Sequence, residues 1–245
     1  MEISVNGAKI FFTIPIFGGI PITETLVNTW IVMAIIVGLC IWLTRDLKLH
    51  PTSKRQIVAE YLVETANKFV CGNMGERFKG YVPFVASLFV LSMISNLISL
   101  TGMYSPTADL STELAWALLV FVLITYTKIK TNKFGGYLKS YTQPIAILTP
   151  FNIISEIATP ISMAFRHFGN IVSGSVITTL VYAALASLSH AVLRWLPAAI
   201  NNIPIFQVGL PAFLSVYFDL FSGCLQAFIF TMLTMMYISS AAETE

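Results

Sequence analysis

The chain has 245 residues, of which 56% are hydrophobic and only 11% charged, against about 25% charged in an ordinary soluble domain. So few ionic groups exclude a soluble fold of this size, and so much apolar content excludes disorder. The formal charge of +2, with no basic run interleaved with aromatics, excludes a nucleic-acid-binding surface.

What remains is an all-α polytopic membrane protein, read as a single membrane domain over residues 1–245. Residues 1–23 form an external N-terminal segment. It lacks a signal peptide's basic start and cleavage site, its apolar stretch is broken by Pro15, Gly18, Gly19 and Pro21, and it is expected to be retained. A hydrocarbon core of about 30 Å needs about 20 apolar residues per helix. Residues 24–44 supply the first span, closed by Arg45, Asp46 and Lys48. Residues 51–78 mix Lys54, Arg55, Glu60, Glu64 and Lys68 with Ile57, Tyr61, Leu62, Ala66 and Phe69, the pattern of an amphipathic helix lying on the membrane. Residues 81–101 make a second span. Residues 109–128 make a third, with Asp109 to Glu113 in the headgroups and Lys128, Lys130 and Lys133 closing it.

Beyond residue 150 the charges nearly vanish. Arg166 is the only formal charge from 157 to 193, and Asp219 the only one from 195 to 242. A straight helix over 157–193 would be about 55 Å long. The last two spans, 150–193 and 205–242, are therefore expected to be long and strongly tilted, bent or broken. The stretch 195–211, with Pro197, Pro204 and Pro211, connects them. Cys40, Cys71 and Cys224 are odd in number and far apart, which suits apolar packing rather than zinc or a disulfide framework.

Lys and Arg placement sets an orientation. Seven lie in 44–81 and four in 128–150, against none in 101–113, Lys9 before the first span and Arg194 between the last two. The positive-inside rule puts the N-terminus outside and the C-terminus in the cytoplasm, as five spans require.

An arginine at membrane depth costs at least about 2.5–3.5 kcal/mol, so it faces protein, water or an ion path unless it snorkels. Arg166 lies about 15 Å along the helix axis from Glu156. At about 100° per residue, Thr159, Ser162, Gly169, Asn170 and Ser173 fall within about 60° of it, a polar and small-residue stripe on an apolar helix. Such a stripe also suits close helix packing. In the last span Ser215, Asp219, Ser222, Gly223 and Gln226 share a face, and Tyr237 returns to the Asp219 direction. Asp219 reads either as a structural ion-pair partner of Arg166 or as an ion-exchanging carboxyl.

The segments PISMAFRHFGNIVSG (160–174) and LQAFIFTMLTMMYIS (225–239), in that order, resemble the last two helices of subunit a of the bacterial-type rotary F-type ATP synthase membrane sector. NLISLTGMYSPTADLSTELAWAL (96–118) resembles its second-to-third span region, and the likeness runs from about residue 25 to the C-terminus. The resemblance implies a stator subunit whose two long tilted helices face a rotating c-subunit ring. Two offset half-channels would carry H+ or Na+ to and from the ring carboxylates, so that ion flow drives rotation and ATP synthesis. It also implies a b-subunit peripheral stalk, a soluble ATPase head reached through the complex, and surrounding lipid of a bacterial plasma membrane. No cofactor and no covalent chemistry are implied for this chain.

Residue by residue, Arg166 matches the family's essential arginine, Asn170 and Gln226 match polar neighbours that shape the ring contact, and Glu156 lies near an acid on the cytoplasmic-side approach. Several relatives carry an acid nine residues after the arginine and a histidine seven before the glutamine. Here those positions are Ser175 and Asp219, so the carboxylate has crossed to the facing helix. Ser175 points away from Arg166 and is expected to face the final helix, walling the outer half-channel with Asp219. His167, at a position often apolar in relatives, is read as a packed neutral histidine on a polar flank.

The alternative is a secondary transporter with a buried Arg/Asp site, but no internal repeat relates 25–127 to 150–242. An intramembrane hydrolase would need GxSxG, HExxH or two membrane aspartates, and the chain has none of these.

Overall fold

The computed structural model describes residues 8–15, 19–49, 53–193, 213–214 and 216–243, apart from the side chains of Leu193 and Asp219. The 195–211 connection, Ser215 and the Asp219 carboxyl therefore lie outside the described residues. Among the described residues five helices are long and apolar enough to cross a membrane, and the chain is an all-α polytopic membrane protein.

One short addition precedes them. Strands β1 (Ile10–Ile14) and β2 (Ile20–Thr23) pair antiparallel, Ile14 opposite Ile20 and Ile10 opposite Thr23. Pro15, Gly19 and Pro21, which break the apolar stretch, thus punctuate a hairpin. Gly19 enters β2 at φ +97°, a conformation that glycine reaches without a Cβ clash. Helix α1 (Glu24–Thr44) follows directly. Only Thr25, Asn28 and Val32, one face of its first turns, are buried. Thr25 Oγ1 donates to Asp109 Oδ2 at 2.8 Å and Asn28 Nδ2 to the Tyr104 carbonyl at 2.8 Å, tying this end of α1 to the 101–109 loop.

Helix α2 (Lys54–Met74) starts at Ser53, whose hydroxyl accepts from the Gln56 N–H at 3.2 Å. Its first half leaves Ile57, Tyr61 and Leu62 exposed beside the exposed Glu64–Lys68 pair, whereas Phe69, Val70 and Met74 join the core. Helix α3 (Val82–Leu97) carries Pro83 in its first turn, where the missing N–H costs nothing. Helix α4 (Leu110–Ser140) is capped by Asp109, which accepts from the Ser111 N–H at 2.9 Å. It continues past the lysines that close the third span and kinks at Lys133 (φ 57°, ψ 166°) before reaching Ser140. Charges limit how much of a helix suits lipid; they do not end its hydrogen-bond ladder.

Helix α5 (Thr149–Leu193) is continuous over 45 residues, about 67 Å at 1.5 Å per residue. Pro160 inside it has no N–H, so the Glu156 carbonyl loses its helical donor. A π-helical turn (Val216–Ser222) leads into α6 (Gly223–Ser240). The wider i→i+5 turn breaks the 100° register that carried the polar stripe of this segment. The core gathers Val85 and Leu88 of α3, Val120 of α4, Met163 and Ala164 of α5, and Phe230 and Met235 of α6.

Candidate functional site

Helix α5 buries one face, made by Pro160, Met163, Ala164, His167 and Gly174. That face is centred about 100° from Arg166, which leaves Arg166 on one flank and Ser175 on the other. Arg166 is exposed, as are Ser162 and Ser173, while Thr159, Gly169 and Asn170 are half-buried. The stripe read from helical spacing is thus an open face of the subunit. Arg166 has no ion-pair partner among the described residues. At Gly169 a Cβ would meet no atom within 4 Å, so the backbone lies bare beside the arginine.

Asn170 turns from this face toward the π-helical turn, where its Nδ2 lies 2.8 Å from Ser222 Oγ. One helical turn on, Gly174 lets Phe218 approach so closely that a Cβ would sit 3.3 Å from it. These contacts fasten the start of the last helical segment against the Arg166 stretch. Gln226 is buried on α6, and its Nε2 has no hydrogen-bond partner among the described residues. Ser175, expected to face the final helix, is exposed and donates to its own helix at the Val172 carbonyl, 2.8 Å away. A rotation of 180° from Arg166 carries it past the buried face, not onto it.

Glu156 stands apart from this group. Its Oε1 accepts from Lys128 Nζ at 3.0 Å and lies 3.4 Å from the Tyr137 hydroxyl. A pocket of about 320 Å³ opens here, lined by Lys128, Tyr141, Asn152, Ser155, Glu156 and Thr159. Burial, followed by hydrogen bonding to Glu156 and Tyr137, pushes the Tyr141 phenol well above its ordinary value and keeps it protonated. Thr159 lies on the pocket wall and on the Arg166 stripe, so the pocket extends toward the open face.

The interior partnership that the sequence did not announce is that of Glu113. Near a span end, it is completely buried within the protein, with its Oε2 3.0 Å from His167 Nδ1. The two atoms are close but not aligned for a hydrogen bond, so the contact is an electrostatic pair. Glu113, Ala117, Val120, Ile124 and Thr127 make up the buried face of α4, and their alternating spacing of four and three was the signal that could have placed the acid inside. His167 is fully packed, between Asn96, Glu113 and the rings of Trp116 and Phe230.

Residues 26–239 match the family model described as the ATP synthase A chain. ATP synthase subunit a 1 of Crocosphaera subtropica is 36% identical over 229 residues, covering 92% of this chain and 90% of its own. ATP synthase subunit a of Moorella thermoacetica is 32% identical, covering 91% of this chain and 92% of its own. The sodium-ion-specific subunit a of Propionigenium modestum is 29% identical, covering 97% and 86%. With its five membrane-length helices and an intramembrane arginine on an open helix face, the chain belongs to the ATP synthase subunit a family, the ion-translocating subunit of the enzyme's membrane sector.

Proposed function

We propose that this subunit is the stator against which a c-subunit ring turns, with Arg166 as the fixed cation separating two half-channels. The observation that carries the reading is Arg166 itself: a permanent charge in the middle of a long apolar helix, exposed, without an ion-pair partner among the described residues, on a polar stripe with a bare glycine beside it. Such a group calls for a counter-charge, and a ring carboxylate supplies one.

The energetics favour this arrangement. One charge moving through 100 mV yields about 2.3 kcal/mol, which is lost if the ion crosses without turning the ring. An arginine between two access paths holds an arriving carboxylate ionised. The carboxylate must then take up H+ or Na+ before it re-enters lipid. Arginine suits this role because it stays charged where a lysine could lose its proton.

Asn170, held by Ser222, and Gln226, whose Nε2 has no partner among the described residues, provide polar groups that shape the contact. Glu156 and its pocket serve the cytoplasmic access path. Asp219 and Ser175, where relatives carry a histidine and an acid, serve the outer path. The long last two helices lie tilted along the ring, the N-terminus is outside and the C-terminus cytoplasmic. A b-subunit stalk and a soluble ATPase head complete the complex in a bacterial plasma membrane.

Arg166→Ala is expected to abolish ion-driven ATP synthesis in inverted vesicles while the subunit still assembles, and Arg166→Lys to fail nearly as badly. Near-normal synthesis by either variant overturns the assignment.

A further inference from the structure

The Glu113–His167 pair is the polar feature of the interior that the proposed function leaves without a task. Both side chains have no accessible surface, so no water can rest against either. The protonation pattern follows from the contacts. Asn96 Nδ2 donates to the Gly223 carbonyl at 2.7 Å, and Asn96 Oδ1 accepts from Thr107 Oγ1 at 2.6 Å, which fixes the amide orientation. The same Nδ2 lies 3.2 Å from His167 Nε2, which must therefore accept. The ring proton then sits on Nδ1, facing the Glu113 carboxyl.

We propose that Glu113 and His167, with Asn96 behind the ring, form a clamp that sets the rotation of α5 and so aims Arg166 at the ring; this inference rests on the stator reading above. His167 immediately follows Arg166, about 100° around the helix, so the clamp and the arginine turn together. An arginine tip on the order of 8 Å from the axis sweeps about 1.4 Å for every 10° of helix rotation. Misplacement by about 1 Å can cost about a hundredfold in rate, so the angle matters. Any rotation that separates His167 from Glu113 gives up the electrostatic contact between two polar groups that no water can reach, and that penalty holds the angle. Asn96 extends the grip to α6 through Gly223, so α3, α4, α5 and α6 all meet at this point. Glu113 and His167 are positioning residues: they act through Arg166 and carry no ion.

The test uses the whole complex in inverted vesicles, with synthesis and ion pumping per ATP hydrolysed both expressed per assembled complex. Glu113→Gln keeps an oxygen to face Nδ1 and is expected to retain synthesis within about threefold, since truncation rather than isosteric replacement strands a buried partner. The double variant Glu113→Leu/His167→Leu removes both polar groups at similar volume and leaves Asn96 Nδ2 its bond to the Gly223 carbonyl, which permits assembly. It is expected to lose at least about tenfold in synthesis per complex, with fewer ions pumped per ATP, as a misaimed arginine demands. If Glu113→Gln is as inactive as the double variant, the carboxyl carries ions and the clamp is wrong. If the double variant works normally per complex, or only lowers the number of complexes, the pair merely fills space and the clamp is again wrong. Arg166→Ala, run alongside, separates the two readings. Activity in that variant removes the stator assignment itself, whereas its inactivity beside a normal double variant removes only the clamp.

Discussion

Arg166 and His167 are adjacent in the chain and opposite in environment, one exposed on an open helix face and the other without accessible surface. Glu156 falls between these extremes, with 11% of its side chain exposed at the edge of the pocket and Lys128 as its counter-charge. A partly exposed pair of this kind contributes at most about 1 kcal/mol to stability, so removing it should barely affect folding. Glu156→Gln keeps the volume and an acceptor oxygen but removes the only carboxylate lining that pocket among the described residues. ATP synthesis and ATP-driven pumping per complex are both expected to fall several-fold, as loss of an ion-exchanging group does, with thermal stability in detergent unchanged. Full rates in this variant would remove Glu156 from the access path. Reduced assembly at full rate per complex would make the Lys128 pair purely structural. The Arg166 stripe was legible in the sequence because one helix carries all of it at a regular spacing. The Glu113 partnership was not, since it joins residues on different helices and a charge near a span end conventionally reads as a headgroup group.

Helix faces and glycines decide how the elements meet. A Cβ at Gly223 would lie 3.2 Å from the Asn96 Cβ, where α3 and the start of α6 are in closest contact. Gly223→Ala must push these helices apart and disturb the bond from Asn96 to the Gly223 carbonyl. It is expected to destabilise the subunit by about 1–3 kcal/mol, seen as a lowered thermal midpoint in detergent. Gly169 is the converse case. Nothing in the described chain approaches its Cβ position, so Gly169→Leu should leave the midpoint unchanged or raised, leucine being the better helix former by about 1 kcal/mol. If a ring passes over this face, the leucine blocks it, and ion-driven synthesis should be lost from a stable subunit. Normal synthesis by Gly169→Leu would take the ring off this side of α5. At this scale the sequence marked where helices suit lipid better than where they end. The kinked extension of α4 to Ser140 and the π-helical turn at Val216–Ser222 arise from backbone hydrogen bonding, which residue charge and hydropathy do not encode.

Across the whole molecule, two sets of side chains identify which helix ends lie together. The Thr25–Asp109 and Asn28–Tyr104 bonds put the start of α1 beside the loop that follows α3. The Lys128–Glu156 contact puts the later part of α4 beside the start of α5. Alternating spans require both arrangements, so the number and order of crossings could be read from hydropathy alone. The β1–β2 hairpin could not, because a short apolar stretch broken by Pro and Gly gives no period to follow. Which end faces the cytoplasm depends on charge: eleven Lys and Arg residues in 44–81 and 128–150 against none in 101–113. Thr101 and Phe134 test this, being exposed residues that follow α3 and the first three lysines of α4. Cys40, Cys71 and Cys224 form no disulfide, so they can be replaced by Ala without breaking a bond. In that background, Thr101→Cys should react with a membrane-impermeant maleimide in intact cells, and Phe134→Cys only in inverted vesicles. Labelling of both from the same side would mean that α4 does not cross the bilayer, and the five-span arrangement would fail. The reverse pattern would keep five spans but invert them, leaving eleven basic residues on the outer face against the charge bias that orients helices during insertion. The pocket at Glu156 would then open to the outside, and the access path proposed for its carboxylate would be the outer one rather than the cytoplasmic one.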